Sequence, residues 1–414
     1  MKTLLESAAA AKAASAAVAQ LTTEKKNAAL LAMADALEAR CAEILAANAA
    51  DMARERANGM SPDMLDRLML DEKRVADMAL GLRQVSELPD PVGEVLKDWT
   101  RPNGLRIKKV RVPMGVIGII YEARPNVTVD AASLAFKAGS AILLRGSGSA
   151  YESNAALVAV MRSALEGCGI TPDAVCLVEE RGHDVVDKLL TLREYVDLIV
   201  PRGSARLINN AVEKATVPIL QTGTGNCHVY IDESADYAMA EAITINAKTQ
   251  RTSVCNCAET LILQESWAEK HGEALLKALA DKNVELHGDE AASKYAPGMI
   301  PATERDWADE YLRLAMAVKI VPDVRAAVEH INRYGTMHTE CIVTGDAQCA
   351  DYFLKNVDAA VVNWNASTRF TDGFEFGFGA ELGISTQKLH ARGPMGAEAL
   401  TTTKYVIRGE GQTR

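Results

Sequence analysis

Val112-Pro113-Met114-Gly115-Val116-Ile117-Gly118-Ile119-Ile120-Tyr121-Glu122-Ala123-Arg124-Pro125-Asn126 decides the fold of this chain. A short apolar run bounded by glycine and proline reads as a strand buried on both faces, and Pro125 forces the chain out of it at a constrained turn. Such a turn can present the Asn126 amide into a cleft as a hydrogen-bond donor; an ordinary turn asparagine is the alternative reading. Further apolar runs at Ala141 to Leu144, Val175 to Val178, Leu198 to Val200 and Pro218 to Leu220 alternate with helical stretches. That rhythm predicts βαβ units and a mainly parallel sheet. A second series begins at Cys227-His228-Val229-Tyr230-Ile231 and includes Thr260 to Leu263, Val318 to Val321 and Glu340 to Val343, so the fold class is α/β with parallel sheets.

Upstream, residues 2 to 87 carry alanine and leucine at helical spacing, with Ser61-Pro62 as a cap followed by proline in the first turn. Between them and the first strand, Lys97-Asp98-Trp99-Thr100, then Arg101-Pro102-Asn103-Gly104, then the alternating Leu105 to Arg111 predict an exposed two-stranded arm. At 414 residues the chain exceeds a single core, and two large lobes are expected.

Charged residues at 24% and hydrophobic ones at 48% are globular proportions. The net charge of -10 offers nothing to a phosphate backbone, which excludes nucleic acid as a partner class. The first twenty residues are interrupted by Glu6 and Lys12 and read as an amphipathic helix rather than a signal peptide, and no membrane span is expected. Eight scattered cysteines without a Cys-x-x-Cys pair point to a reducing, cytoplasmic compartment.

No Gly-x-Gly-x-x-Gly follows the first strand, so a nicotinamide site must be built otherwise. Arg145-Gly146-Ser147-Gly148-Ser149 and Arg202-Gly203-Ser204 each put a guanidinium, small residues and hydroxyls at a strand-to-helix junction suited to phosphate. Taken singly, either is equally an ordinary turn. Cys255 lies in the polar loop Thr249-Gln250-Arg251-Thr252-Ser253-Val254-Cys255-Asn256, where a thiol beside an arginine can be activated as a nucleophile; a small core residue is the alternative. Cys257 shares the loop, but no ligand cluster supports a metal site, and none is expected. Cys227 and His228 are adjacent on a strand and point to opposite faces, which argues against a dyad.

Together with Val361-Val362-Asn363-Trp364-Asn365-Ala366-Ser367-Thr368-Arg369-Phe370-Thr371-Asp372-Gly373, Phe376 to Thr386 and Leu389 to Gly396, these segments closely resemble the aldehyde dehydrogenase superfamily over nearly the whole chain. The resemblance implies an aldehyde dehydrogenase-like fold of two parallel-sheet α/β lobes with a small oligomerisation arm. It implies an NADPH-binding domain at 1–96 and 112–224, a catalytic domain at 225–385, and an arm and tail at 97–111 and 386–414.

By the same resemblance Cys255 matches the nucleophile and Asn126 the oxyanion-hole asparagine. Arg145 and Ser147 fall where a Lys-Pro-Ser stretch meets the adenosine ribose, Gly203 and Ser204 near the pyrophosphate, and Glu310 on the nicotinamide ribose. An arginine at 145 suits a 2'-phosphate, favouring NADPH/NADP. Where hydrolytic members carry the general-base glutamate of Glu-Leu-Gly-Gly-Lys, this chain reads Thr222-Gly223-Thr224-Gly225-Asn226, which implies a reductase rather than an aldehyde oxidase.

The branch resembled reduces L-glutamyl 5-phosphate with NADPH to L-glutamate 5-semialdehyde plus phosphate through a cysteine thioester, the second step of proline biosynthesis. Arg124, Arg251, His338 and Arg369 are substrate-binding candidates, being in or beside the matched motifs. The resemblance further implies a homodimer or tetramer and transient contact with glutamate 5-kinase. A different acyl donor and a non-enzymatic dinucleotide binder are the competing functions.

Overall fold

Capping polar residues start four of the five amino-terminal helices, the third being the exception. The computed structural model describes Lys2–Arg414 and places there α1 (Leu4–Val18), α2 (Thr23–Ala39), α3 (Cys41–Ala57), α4 (Pro62–Leu68) and α5 (Glu72–Glu87). Thr3 and Glu6 form a capping box on α1, while Thr22, Ser61 and Asp71 accept first-turn amides of α2, α4 and α5. The predicted arm is β1 (Val95–Thr100) paired antiparallel with β2 (Arg106–Pro113), its loop closed by Gly104 at φ +87.

The chain divides into two compact units. The first holds the residues up to Thr222, Gly377–Gly383 and Met395–Arg414. Its βαβ series runs β3 (Val116–Tyr121), α6 (Asn126–Lys137), β4 (Ala141–Gly146), α7 (Tyr151–Gly167), β5 (Val175–Leu177), α8 (His183–Leu190), β6 (Leu198–Arg202) and α9 (Ala205–Lys214). The strands lie parallel in the order β5-β4-β3-β6. Leu4, Ala8 and Ala11 of α1 pack with Val116, Ile120 and Leu143 of the sheet, where small alanines let the helix approach closely. The expected strand at Pro218 to Leu220 is only an isolated bridge between Ile199 and Ile219, because Pro218 has no amide with which to extend a ladder.

The second unit, Gly223–Phe376 with Ile384–Pro394, contains β7 (Cys227–Ile231), α10 (Tyr237–Thr249), β8 (Ala258–Gln264), α11 (Glu265–Asp281), β9 (Glu285–Gly288), β10 (Ile300–Pro301), β11 (Ala315–Val321), α12 (Val324–Tyr334), β12 (Thr339–Val343), α13 (Ala347–Asn356) and β13 (Val361–Trp364). These strands form a parallel sheet in the order β10-β9-β11-β8-β7-β12-β13. Trp267, Leu275 and Leu279 of α11 cluster with Leu261, Leu263 and Val318, while Val328, Ile331 and Phe353 cluster with Tyr230, Ile262 and Ile342. Both sheet faces are therefore covered, which is why the strands read as unbroken apolar runs.

The pair β14 (Ile384–Ser385) and β15 (Gly393–Pro394) keeps 384–394 in the second unit, although 386–394 was expected in the tail. Conversely, 377–383 belongs to the first unit, where Leu382 and Gly383 exchange backbone hydrogen bonds with Met395. The other internal boundary falls at Thr222/Gly223 rather than 224/225. The tail strand β16 (Thr401–Arg408) pairs antiparallel with β2, making the sheet β1-β2-β16. Among the described residues no helix is long and apolar enough to cross a membrane.

Candidate active site

Because the second unit's sheet is parallel, the segments entering β7, β8, β11 and β12 meet at one edge. That brings together Gly225, Cys255, Glu310 and His338, which are far apart in sequence. Cys255 sits half-buried in the loop between α10 and β8, where Cys257 N–H donates to the Val254 carbonyl at 3.1 Å. Buried Asn256 fastens this loop to the Asn363–Gly373 motif: its amide donates to the Thr371 carbonyl at 2.9 Å, and its own carbonyl accepts from Thr368 Oγ1 at 2.7 Å. Gly225 passes so near that a Cβ there would stand 1.4 Å from the Cys255 carbonyl oxygen.

The three thiols near this edge differ in surroundings. Cys227 and Cys257 are fully buried. Burial, with Glu340 adding to it, pushes the Cys227 thiol well above the ordinary range, and burial lifts Cys257 to about 11 against the pull of Lys248. Cys255 alone of the three keeps access to the surface. Cys227 Sγ donates to the Cys255 carbonyl at 3.3 Å, a supporting contact.

Glu310 Oε1 accepts the Gly225 N–H at 2.8 Å. Burial raises its pKa, while the Gly225 hydrogen bond and Lys248 oppose the rise. Behind it Lys248 and Glu259 form an ion pair buried at 0% exposure on both sides, and Glu259 also accepts from Leu312 N at 3.3 Å. Burial lifts Glu259 to about 7, with Lys248 acting in the opposite direction.

Among the substrate candidates, His338 is withdrawn by its burial. It is fully enclosed, with Nδ1 at 2.8 Å from Thr339 Oγ1 and 3.7 Å from Cys227 Sγ, so it supports the core beneath the loop. Arg251 is exposed without an ion pair among the described residues. Arg369 donates from Nε to Gln250 Oε1 at 2.9 Å, tying it to the start of the Cys255 loop. His228 pairs with Glu340 at 2.9 Å inside the core, on the face opposite Cys227.

In the first unit the expected residues gather at the carboxyl ends of the strands, around the switch point between β3 and β6. Asn126, exposed at the start of α6, donates from Nδ2 to Asp130 Oδ2 at 3.0 Å. Arg124 is half-buried in the preceding turn. Ser204 caps α9, but its N–H and Oγ both donate to Glu122, at 3.0 and 2.8 Å. The donors expected to meet a pyrophosphate thus meet a carboxylate, and a Cβ on Gly203 would lie 2.7 Å from Glu122 Cδ.

Half-buried Arg145 is the next-to-last residue of β4, donating to the carbonyls of Gly146 and Gly182, the latter at 3.1 Å. Its buried Nε has no hydrogen-bond partner, and it makes no ion pair among the described residues, which fits an anionic cofactor group. Ser147 bonds Ser149 in the turn that follows. That turn is braced from α3, where Arg54 reaches the carbonyls of Gly148 and Ser149 at 3.0 Å and buried Asp51 accepts from Ser153 N–H at 2.8 Å. Nothing in the α3 sequence beyond its helical pattern signalled this brace.

The model of the aldehyde dehydrogenase family matches residues 2–318. The chain is 56% identical to gamma-glutamyl phosphate reductase from Moorella thermoacetica over 397 residues, covering 96% of this chain and 95% of that one. The enzyme of the same name from Geobacillus thermodenitrificans is 53% identical over 100% of both chains. The crystal structure of gamma-glutamyl phosphate reductase from Thermotoga maritima superposes with a TM-score of 0.97 at 46% identity over 100% of both chains. An acetylating aldehyde dehydrogenase from Geobacillus thermoglucosidasius shares the fold at TM-score 0.70 and 19% identity, over 99% of this chain and 97% of that one.

Proposed function

This chain belongs to the gamma-glutamyl phosphate reductases of the aldehyde dehydrogenase family, and from that premise we propose that it reduces L-glutamyl 5-phosphate to L-glutamate 5-semialdehyde, releasing phosphate, as a step of proline biosynthesis. The observation that carries the reading is Cys255, a half-buried thiol on a loop held by Gly225 and Asn256, beside a segment 222–226 without any carboxylate.

The Cys255 thiolate attacks the acyl carbon, the C–O bond to phosphate breaks, and a thioester remains on the enzyme. Asn126 donates its side-chain amide to the oxyanion of the tetrahedral intermediate. NADPH, when bound, supplies the hydride that reduces the thioester carbonyl. Collapse of the resulting thiohemiacetal returns the sulfur to Cys255 and releases the aldehyde. The Thr222–Asn226 stretch carries no carboxylate at the position where hydrolytic members hold their general base for water attack on the thioester.

Arg145 and Ser147 would hold the adenosine ribose and its 2'-phosphate. Gly203 and Ser204 would hold the pyrophosphate once Glu122 turns aside. Glu310, with Oε1 on Gly225, would offer Oε2 to the nicotinamide ribose. Arg124, Arg251 and Arg369 are the cations left to read the substrate's carboxylate and phosphate. The sheet β1-β2-β16, which exposes Val95, Tyr405 and Ile407, is the surface through which we expect a homodimer or tetramer. Glutamate 5-kinase, whose product is a labile acyl phosphate, is the transient partner this reading implies.

The reverse reaction tests the proposal. NADPH formation from NADP and pyrroline-5-carboxylate, the cyclised aldehyde, should require inorganic phosphate. A rate indifferent to phosphate excludes an acyl phosphate substrate.

A further inference from the structure

Asn126 and Asp130 stand one helical turn apart on α6, the spacing that places two side chains on the same face. A primary amide is two-sided: Nδ2 donates and Oδ1 accepts, and a half-turn of the terminal torsion exchanges them. Only the Nδ2-outward rotamer stabilises a developing oxyanion, whereas the flipped one repels it. In this structure Nδ2 spends one of its two N–H bonds on Asp130 Oδ2 at 3.0 Å, which leaves the other N–H to point elsewhere. The start of α6 is itself anchored: Thr128 Oγ1 bonds Tyr121 OH at 2.7 Å and donates to Asn154 Oδ1 at 3.0 Å, both within the core.

We propose that Asp130 is a positioning residue for Asn126, its carboxylate selecting the amide rotamer that presents a donor to the reacting oxygen. This rests on the reading of Asn126 as the oxyanion donor. A neutral Asp130 carboxyl would instead donate its own proton to Oδ1 and favour the flipped amide, so the selection depends on ionisation.

The charged groups bearing on Asp130 are Glu381 and Arg202. Burial, with Glu381 in support and Arg202 and the Asn126 hydrogen bond in opposition, raises this carboxyl to about 7. Donor geometry is therefore present above that pH and lost as the pH falls through it.

The test is the pH profile of kcat in the reverse direction for the wild type, Asp130→Asn, Asn126→Ala and the double variant, with NADPH affinity and melting temperature measured alongside. Asp130→Asn should lower kcat about 10-fold with KM nearly unchanged, a fraction of the roughly 10²-fold loss expected for Asn126→Ala. It should also remove the wild-type acid limb near 7. In the Asn126→Ala background it should cost nothing more. Wild-type kcat and an intact limb in Asp130→Asn, or losses that add in the double variant, overturn the inference while leaving Asn126 its role. Wild-type kcat in Asn126→Ala overturns both. If Asp130→Asn fails to fold, Asn126→Ala alone decides: the limb should vanish with the amide, and its persistence there refutes the coupling.

Discussion

Gly225 and Cys255 are pressed backbone to backbone, so that any side chain at 225 would overlap the Cys255 carbonyl, with a Cβ only 1.4 Å from its oxygen. Gly225→Ala should therefore push the nucleophile loop aside. A displacement of about 1 Å is worth roughly 10²-fold in rate, and kcat should fall by at least that much. Steady-state kinetics with a matched melting curve would check this; full activity would mean the loop is not held here.

Cys255→Ser should abolish turnover while NADPH still binds, measured by fluorescence titration. Cys257→Ala should keep kcat within a few-fold and cost about 1 kcal/mol of stability, because a buried thiol raised to about 11 is packing material. A Cys257→Ala enzyme as dead as Cys255→Ser would reverse the assignment.

Glu122 occupies the donors at the start of α9 through contacts of 3.0 and 2.8 Å. Removing its charge in Glu122→Gln should tighten NADP binding about 3-fold, the scale of one charge at a helix terminus. Weaker binding would show instead that Glu122 is a contact of the cofactor.

Asp306 accepts from Thr303 N–H at 2.7 Å and Tyr311 OH at 2.8 Å and pairs with His287, fixing the segment that carries Glu310. Burial raises its pKa, but the Thr303 and Tyr311 hydrogen bonds and His287 outweigh that and hold it at about 2, below the ordinary 3.8. A lowered folded-state pKa means stabilisation that is complete above the unfolded value and disappears as pH drops through 3.8 toward 2. Asp306→Asn should cost about 1–2 kcal/mol in urea denaturation at pH 7 and progressively less in that acid window. A pH-independent difference would contradict the linkage.

Deletion of 402–414 removes β16 from the sheet β1-β2-β16. The truncated chain should sediment at a lower mass than the full chain, and an unchanged oligomer would count against this sheet as the contact.

Local chemistry carried far. The cap at Ser61, the Gly104 turn and the apolar runs of β3, β4, β7 and β8 were legible because each depends on neighbours a few residues away. The hydrogen bond of Asn126 to Asp130 was legible in principle as well, since helical spacing alone creates it.

The sequence by itself determined the alternation of strand and helix, the arm, and the polar loop that makes Cys255 a candidate, since periodicity and turn chemistry are written in consecutive residues. Only the tertiary structure decided that Cys257 and His338 are enclosed while Cys255 keeps access, that Glu122 sits on Ser204, and that Gly225 abuts Cys255. The reason is physical: burial and contact depend on which strands lie side by side, and the order β11-β8-β7-β12 is not the order of the chain.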